Sequence, residues 1–287
     1  MKSVKASLMN LNFWCTLSVM DLGFITCQYY YFPYFAGFNM GILTFLNVSM
    51  PVQFWFGIAC NYTVVIVIVL LFETRSSLIQ QNRFRIKTTI GRISWVLVNF
   101  CAIMAAQTPM YFDIPDQMDA KMFILKSLPC PTIEFFTEPL FVMTIDPFWE
   151  NYIHISGNIT FLCLTLQILF FTSCCIYYLF ISKTMSRVSQ STRRLQIRSF
   201  YLMIIQTVFP IILIFVPLSA LMNKEKDEGG HQSENNFSMI MISVHHGATS
   251  LAILLVHHPY RNFLKTKIFC GKETKVVTVT TDVSFRS

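Results

Sequence analysis

Two histidine pairs, His245-His246 and His257-His258, are the densest grouping of metal-binding and proton-transferring side chains in this 287-residue chain. Imidazole ligates zinc and acts as a general base, so metal-assisted hydrolysis is the first chemistry to weigh. Spacing argues against it. Both pairs lie on or just beyond one expected helix, and the 11 residues from His246 to His257 span about 16 Å at 1.5 Å per residue, outside a shared coordination sphere. Neighbouring histidines also diverge by about 100° around a helix. No HExxH, GxSxG or phosphate-binding loop occurs. The sequence therefore calls for no metal and no cofactor, and an enzyme is not expected.

A second kind of chemistry is an acid placed in hydrocarbon. Asp21 is the acidic residue within an apolar run, about 13 residues in from Leu8 and so expected near the bilayer midplane. A carboxylate there is costly and faces a polar interior. It reads as an ion site, a proton-linked switch or a ligand counter-ion, or else as a structural hydrogen bond to Asn61, Asn99 or another helix. Asn61, Asn99, Gln107, Asn158, Gln167 and Gln206 are further polar residues within apolar runs, where hydrogen bonds between helices are their default role. Pro210 and Pro217 share one run, QTVFPIILIFVPLSAL, and each removes a backbone hydrogen bond, giving either hinges or static curvature. At the end of another run stands Phe72-Glu73-Thr74-Arg75, an acid and a base at the membrane boundary.

The elements that carry these residues follow from composition. Hydrophobic side chains make up 54% of the chain and charged ones 13%, against about 25% charged in ordinary soluble domains. This is a membrane protein. Runs long enough to cross a bilayer, roughly 20 residues, extend over Leu8 to Ala36, Met50 to Phe72, Ile93 to Phe112, Tyr152 to Ile181, Tyr201 to Leu221 and Phe237 to His257. The first is longer than the apolar part of a secretory signal peptide and carries Asp21, so it stays in the mature protein. The expected architecture is an all-α polytopic membrane protein with six transmembrane helices.

Charge fixes the orientation. Of 22 Lys and Arg residues, 18 fall before the first run, in Glu73 to Arg92, in Lys183 to Arg198 or after Pro259. The other four, Lys121, Lys126, Lys224 and Lys226, share their loops with 11 of the 15 acidic residues. By the positive-inside rule the first set is cytoplasmic, which puts both ends of the chain inside. The net charge of +7 thus marks topology, and no nucleic-acid partner is expected. Sequons at Asn47-Val48-Ser49 and Asn236-Phe237-Ser238 fall in expected outside loops and make Asn47 and Asn236 glycosylation candidates. The same pattern also occurs inside runs, at Asn61-Tyr62-Thr63 and Asn158-Ile159-Thr160.

In the long outside loop, Asp116 is placed to cap a helix along which Met118, Met122 and Leu125 recur on one face, until Pro129 stops it. That spacing predicts a short amphipathic helix over the outer mouth. After the last run, PYRNFLKTKIFC sets Tyr260, Phe263, Leu264 and Phe269 near one face and Arg261, Lys265 and Lys267 on the other. It predicts an interfacial helix at about 260–270, drawn to anionic membrane lipids, with Cys270 a palmitoylation candidate. Residues 1–270 read as one transmembrane domain, and the Ser/Thr-rich stretch 271–287 as a disordered cytoplasmic tail.

Several stretches, taken in order, resemble the nematode serpentine receptor class H chemoreceptors of the Str superfamily: KSVKASLMNLNFW, FETRSSLI, IPDQMDAKMFILKSLPCPTIEFFTEPLFVMTID, LQIRSFYLMIIQTVFPIILIFVPL and LAILLVHHPYRNF. The IPDQ-to-PCP loop and the HHPYR end carry the specificity, since neither follows from hydrophobicity. The resemblance implies a seven-helix G-protein-coupled receptor on sensory neurons, with a small-molecule ligand among the helices toward the outside and a heterotrimeric G protein at the cytoplasmic face. On that likeness Glu73 and Arg75 match the acid and arginine at the end of the third helix, and Pro259 with Tyr260 a variant of the seventh-helix Pro-Tyr switch. KSVKASLMNLNFW matches the first cytoplasmic loop and the start of the second helix, so the first helix of the family plan is expected to lie outside this chain. Many such receptors join their second outside loop to the third helix by a disulfide. Cys130 fits the loop partner, but no cysteine lies near Met50 to Phe56 and Cys60 is too deep, so no bridge is assigned. A transporter or channel subunit is the alternative, suggested by six spans with both ends inside and by Asp21. It lacks an inverted repeat, a ring of charges and Gly-broken helix pairs.

Overall fold

The computed structural model describes residues 2–128, 131–182, 190–222, 232–256 and Thr266. Four of its helical segments are long and apolar enough to cross a membrane: Ala6–Ile25, Met50–Ser77, Thr89–Gln107 and Pro147–Ile181. In chain order the helices are α1 (Lys2–Met20), α2 (Ile42–Phe45), α3 (Met50–Ser77), α4 (Thr89–Gln107), α5 (Gln117–Ser127), α6 (Glu134–Thr137), α7 (Pro147–Ile176), α8 (Gln190–Met222) and α9 (Gln232–Val256). Helix starts follow local chemistry: Thr88 Oγ1 accepts from the Gly91 amide at 3.1 Å, and Asp146 Oδ1 from the Phe148 amide at 2.9 Å. Pro147 opens α7, where a missing N–H costs nothing.

Helix α3 is the axle of the bundle. It packs against α1, α4 and α7, and Val64, Ile66, Val67, Ile68, Val69 and Leu71 are all buried. Around them close Leu11 and Cys15 from α1, Leu164 and Phe171 from α7, and Phe200 and Met203 from α8. Helices α8 and α9 pack chiefly on each other, and α9 also lies against α1. Helix α8 runs unbroken through Pro210 and Pro217. Where α7 ends, a π-helical turn over Tyr177–Ile181 follows, and Arg193 donates through Nε and Nη2 to the Leu179 carbonyl at 3.3 and 3.1 Å, neutralising the negative end of the helix dipole.

The first apolar run is shorter as a helix than its hydrophobicity suggests. Helix α1 passes into a π-helical turn over Asp21–Ile25 and stops, well before Ala36. Beyond it, strands β1 (Gln28–Tyr30), β2 (Ala36–Asn39) and β3 (Phe141–Val142) form an antiparallel sheet in that order. Tyr29 faces Phe38 and Tyr30 faces Gly37, while Ala36 faces Val142. Consecutive aromatic residues favour a strand, and Pro33 both lacks an amide and keeps Phe32 out of helical geometry. Gly37 is required by close approach: a Cβ there would lie 2.3 Å from the Tyr29 carbonyl oxygen. Asp21 consequently sits in the last turn of its membrane segment, at the sheet end, and not at mid-depth.

Above the sheet lies α5, capped as its sequence suggests by Asp116 Oδ1, which accepts from the Met118 and Asp119 amides at 3.0 and 3.2 Å. Its rotation is different from the expected one. Ala120 and Ile124 are buried, whereas Met118 is 74% and Met122 50% exposed. Gln117 fixes that rotation by bracketing β3: its Oε1 accepts from the Val142 amide at 2.8 Å and its Nε2 donates to the Val142 carbonyl at 3.1 Å. Small Ala120 then meets the aromatic cluster of Tyr31, Tyr34, Phe38 and Phe135, and Lys121 stands 5.4 Å above the Phe135 ring. Replacing Gln117 by Leu is expected to strand both Val142 backbone groups, at a cost of about 2 kcal/mol. Faster hydrogen exchange at Val142 and easier proteolysis near α5, with the helices unaffected, would be the signature.

Candidate functional site

At the basic end of α3, Glu73 is fully buried and does not pair with Arg75. Its partner is Arg92 in the first turn of α4: Arg92 Nε meets Glu73 Oε2 at 2.7 Å, and Arg92 Nη2 donates to Oε1 at 3.3 Å. Ser77 Oγ also donates to Oε1 at 2.6 Å and in turn accepts from the Ile86 amide at 3.1 Å. The connecting loop is held by Asn82, whose Nδ2 donates to Ser76 Oγ at 2.6 Å, and by the Arg83 amide, which donates to Tyr178 Oη at 3.2 Å. Glu73 thus ties α3, the loop and α4 into one unit. Arg75, half-buried on another face of α3, has a buried Nε with no hydrogen-bond partner.

At the sheet end, Asp21 is fully buried, and its Oδ1 accepts from Thr26 Oγ1 at 3.0 Å. Asn61 bonds elsewhere, accepting from Ser18 Oγ at 3.0 Å and donating to the Gly57 carbonyl at 2.9 Å. Asn99 accepts from Gln167 Nε2 at 2.8 Å and so joins α4 to α7, the bridging role its position in an apolar run suggests. Tyr30 Oη donates to Gln28 Oε1 at 2.9 Å. Burial holds the phenols of Tyr30 and Tyr111 well above their ordinary range, and the negative charge of Asp21 adds to the effect on Tyr30. Beside them is a cavity of about 30 Å³ lined by Tyr30, Phe32, Phe35, Phe54, Phe141 and Met143 among others. The sheet is anchored over it from α9, where Gln232 Nε2 donates to the Tyr30 carbonyl and Asn235 Nδ2 to the Phe32 carbonyl, each at 2.9 Å.

Among the described residues, no group of three or more His, Cys, Asp or Glu side chains could hold a metal ion. His245 is buried in α9 with its Nδ1 against the Ile242 carbonyl. Asn47 is exposed in the turn after α2, with φ at 57°, whereas Asn236 lies within α9 and its Oδ1 accepts from Gln232 at 3.0 Å. Pro259, Tyr260, Cys270, Cys130 and the tail 271–287 lie outside the described residues, as does the 260–270 helix apart from Thr266.

A helical bundle with one aromatic, sheet-covered end and one basic end agrees with the comparison to known proteins. Residues 1–270 match the family described as the serpentine type 7TM GPCR chemoreceptor Srh. The chain belongs to that family. It is also similar to Serpentine receptor class H-72 of Caenorhabditis elegans, with 43% identity over 286 residues that cover 100% of this chain and 82% of the relative. As an Srh chemoreceptor-family member it is a multi-pass membrane protein, and the expected likeness to class H receptors is shown.

Arg92 is the functional-site residue that the sequence did not single out, although it belongs to the basic set that marked the inner loops. Substituting Met at Arg92 leaves a buried carboxylate without its cation and is expected to cost about 3 kcal/mol. The expected result is a clear drop in the thermal unfolding midpoint in detergent. Combining it with Glu73→Gln, which needs no counter-charge, should restore most of that loss.

Proposed function

We propose that this chain is a G-protein-coupled chemosensory receptor that binds a small molecule from the extracellular side and signals to a heterotrimeric G protein. The observation that carries the reading is the division of α3: Phe54, near its start, lines the aromatic cavity, and Glu73 and Arg75, near its end, stand among the basic loops. In this reading the sheet end faces outward and the basic end faces the cytoplasm, following the positive-inside rule. The membrane is the plasma membrane of sensory neurons, and no catalytic step is involved. Pro210, Pro217 and the Pro259-Tyr260 pair serve as switch elements, and Cys270 carries a lipid that holds the interfacial segment to membrane lipids.

Arg75 is the group that meets the G protein, because its half-buried guanidinium stands at the basic end beside the inner loops and can form charge-assisted hydrogen bonds to a partner's acceptors. Ligand-dependent G-protein activation in a heterologous cell should fall at least tenfold, by roughly 1.4 kcal/mol or more of coupling, in Arg75→Ala, with ligand binding retained. Loss of binding together with signalling would instead mean that Arg75 only supports the fold.

Outward placement of the sheet end also separates the two loop sequons. Asn47 is exposed in a turn, the setting in which a glycan is added, while Asn236 is engaged within a helix. Asn47→Gln should abolish the glycosidase-sensitive mass of the expressed protein, and Asn236→Gln should leave it. A glycan that persists in Asn47→Gln would contradict the assignment.

A further inference from the structure

The loop between α3 and α4 carries Arg83-Phe84-Arg85-Ile86-Lys87, three cations in five residues with an aromatic ring among them. Glu73 is the acid of residues 73–92, and it is already answered by Arg92 and Ser77. Arg83 and Lys87 are exposed and Arg85 is half-buried, and no carboxylate among the described residues pairs with any of them. Their backbone is fixed by side-chain acceptors. The Arg83 amide donates to Tyr178 Oη at 3.2 Å, the Phe84 amide to Asn82 Oδ1 at 2.9 Å and the Ile86 amide to Ser77 Oγ at 3.1 Å. A held loop thus presents three charges that nothing in the described structure neutralises.

Phe84 decides what those charges face. Its ring meets that of Phe170 in α7 edge to face, with centroids 5.5 Å apart. Phe170 lies in the membrane-spanning segment Pro147–Ile181 and is 45% exposed, whereas its neighbour Phe171 is buried against Trp95. Phe170 therefore points away from the bundle, toward lipid. Helix α7 runs from the sheet end to the basic end, so Phe170, eight residues before Tyr178, stands about 12 Å deeper in the bilayer at 1.5 Å per residue. Phe84, 58% exposed, thus reaches from the level of Tyr178 down the lipid-facing side of α7. A water-soluble partner arriving from the aqueous side does not cover a ring in that place, and hydrocarbon does. Arg83 and Arg85 flank Phe84 at one Cα step of about 3.8 Å each, which holds them at the level of lipid headgroups.

We propose that the α3–α4 loop is a docking site for an anionic phospholipid, with Phe84 beside the acyl chains against Phe170 and with Arg83, Arg85 and Lys87 around the headgroup. Guanidinium forks match phosphate oxygens, and each basic residue near an anionic leaflet strengthens attachment about fivefold. A zwitterionic headgroup brings its own cation against these three and gains less. Ile86, between Arg85 and Lys87, donates to Ser77, which donates to Glu73, so a bound lipid also steadies the Glu73–Arg92 pair. The proposal goes beyond the receptor reading and shares with it only the placement of the basic end at a membrane surface.

The test places the full chain in nanodiscs of phosphatidylcholine, alone or mixed with phosphatidylserine, and follows hydrogen exchange over residues 83–87. Phosphatidylserine should slow exchange at the Arg83, Phe84 and Ile86 amides by about fivefold or more relative to phosphatidylcholine alone. The triple variant Arg83→Gln, Arg85→Gln, Lys87→Gln should lose that slowing, and Phe84→Ser should lose most of it. Lys126→Gln, in the last turn of α5, should respond as wild type. Equal exchange in the two membranes, or a full phosphatidylserine effect in the triple variant, would overturn the proposal. So would equal slowing by soluble glycerophosphoserine in phosphatidylcholine discs, which would make the site one for a free phosphate. If the triple variant does not fold, an undiminished effect in Phe84→Ser overturns the proposal instead. The assay contains no G protein, so it fails separately from the receptor reading. A triple variant that keeps the lipid effect and loses G-protein activation in cells would mark a protein-docking surface and would also overturn the proposal.

Discussion

The bundle depends on a requirement of the bilayer, that each backbone polar group be satisfied within its own segment. Thr63, Val64, Val65, Ile66, Val67, Ile68 and Val69 form seven consecutive β-branched residues in the middle of α3. Such side chains favour strands in water. Their penalty in a helix is about 0.5 kcal/mol each, whereas each unsatisfied backbone group in hydrocarbon costs several kcal/mol. The second term wins for every residue, and the run is helical throughout. Stiff branched side chains then become an advantage, because they pack densely and lose little rotamer freedom on burial. A helix that would be unstable alone in water is thereby the most buried of the four candidate membrane spans among the described residues.

The same requirement explains the sheet end, where the chain leaves helical geometry. When α1 stops, its last carbonyls need other donors: the Asp21 carbonyl accepts from the Thr26 and Cys27 amides at 2.9 and 3.2 Å, and the Thr26 carbonyl from the Gly41 amide at 2.9 Å. The sheet, the Gln117 bracket on Val142 and the two amide side chains of α9 continue that bookkeeping across β1 to β3. Irregular backbone is tolerated here because protein covers it on both sides. Its by-product is a small aromatic cavity lined by Tyr30, Phe32, Phe35, Phe54, Phe141 and Met143 among others.

How far the sequence reveals this depends on whether the cause is local. The all-helical membrane class, the cap at Asp116 and the bridging of Asn99 to another helix are all set by composition or by neighbouring residues. The end of α1 was also written locally, in Tyr29-Tyr30-Tyr31-Phe32-Pro33, but hydrophobicity outweighed that signal because aromatic residues count equally for a strand and for a span. The rotation of α5 was not local. Met118, Met122 and Leu125 describe a good apolar stripe, yet Gln117 and β3 turn Ala120 and Ile124 inward, and β3 lies some 20 residues further along the chain. Glu73 and Arg75 invite pairing by proximity in sequence, but residues two apart on a helix point away from each other. A partner for Glu73 had to come from another element, and only the packing of α3 on α4 identifies it as Arg92.

Helix α3 therefore differs in kind at its two ends. At the basic end a buried carboxylate is fully answered, by a guanidinium and a hydroxyl, and the surrounding loop is closed by its own hydrogen bonds. At the sheet end a buried carboxylate is answered on one oxygen only. The whole helix is 28 residues long, about 42 Å at 1.5 Å per residue, with Val64, Ile66, Val67, Ile68, Val69 and Leu71 buried along its middle. Packing of that density transmits strain. A rearrangement at the sheet end would act on it through Gly57 and Phe54, whose neighbours include Gln28, Tyr30 and Phe141 of the sheet, and the completed end would register it as strain on the Glu73–Arg92 pair. A fully paired end and a partly paired end thus share one densely packed helix, along which strain at either is carried toward the other.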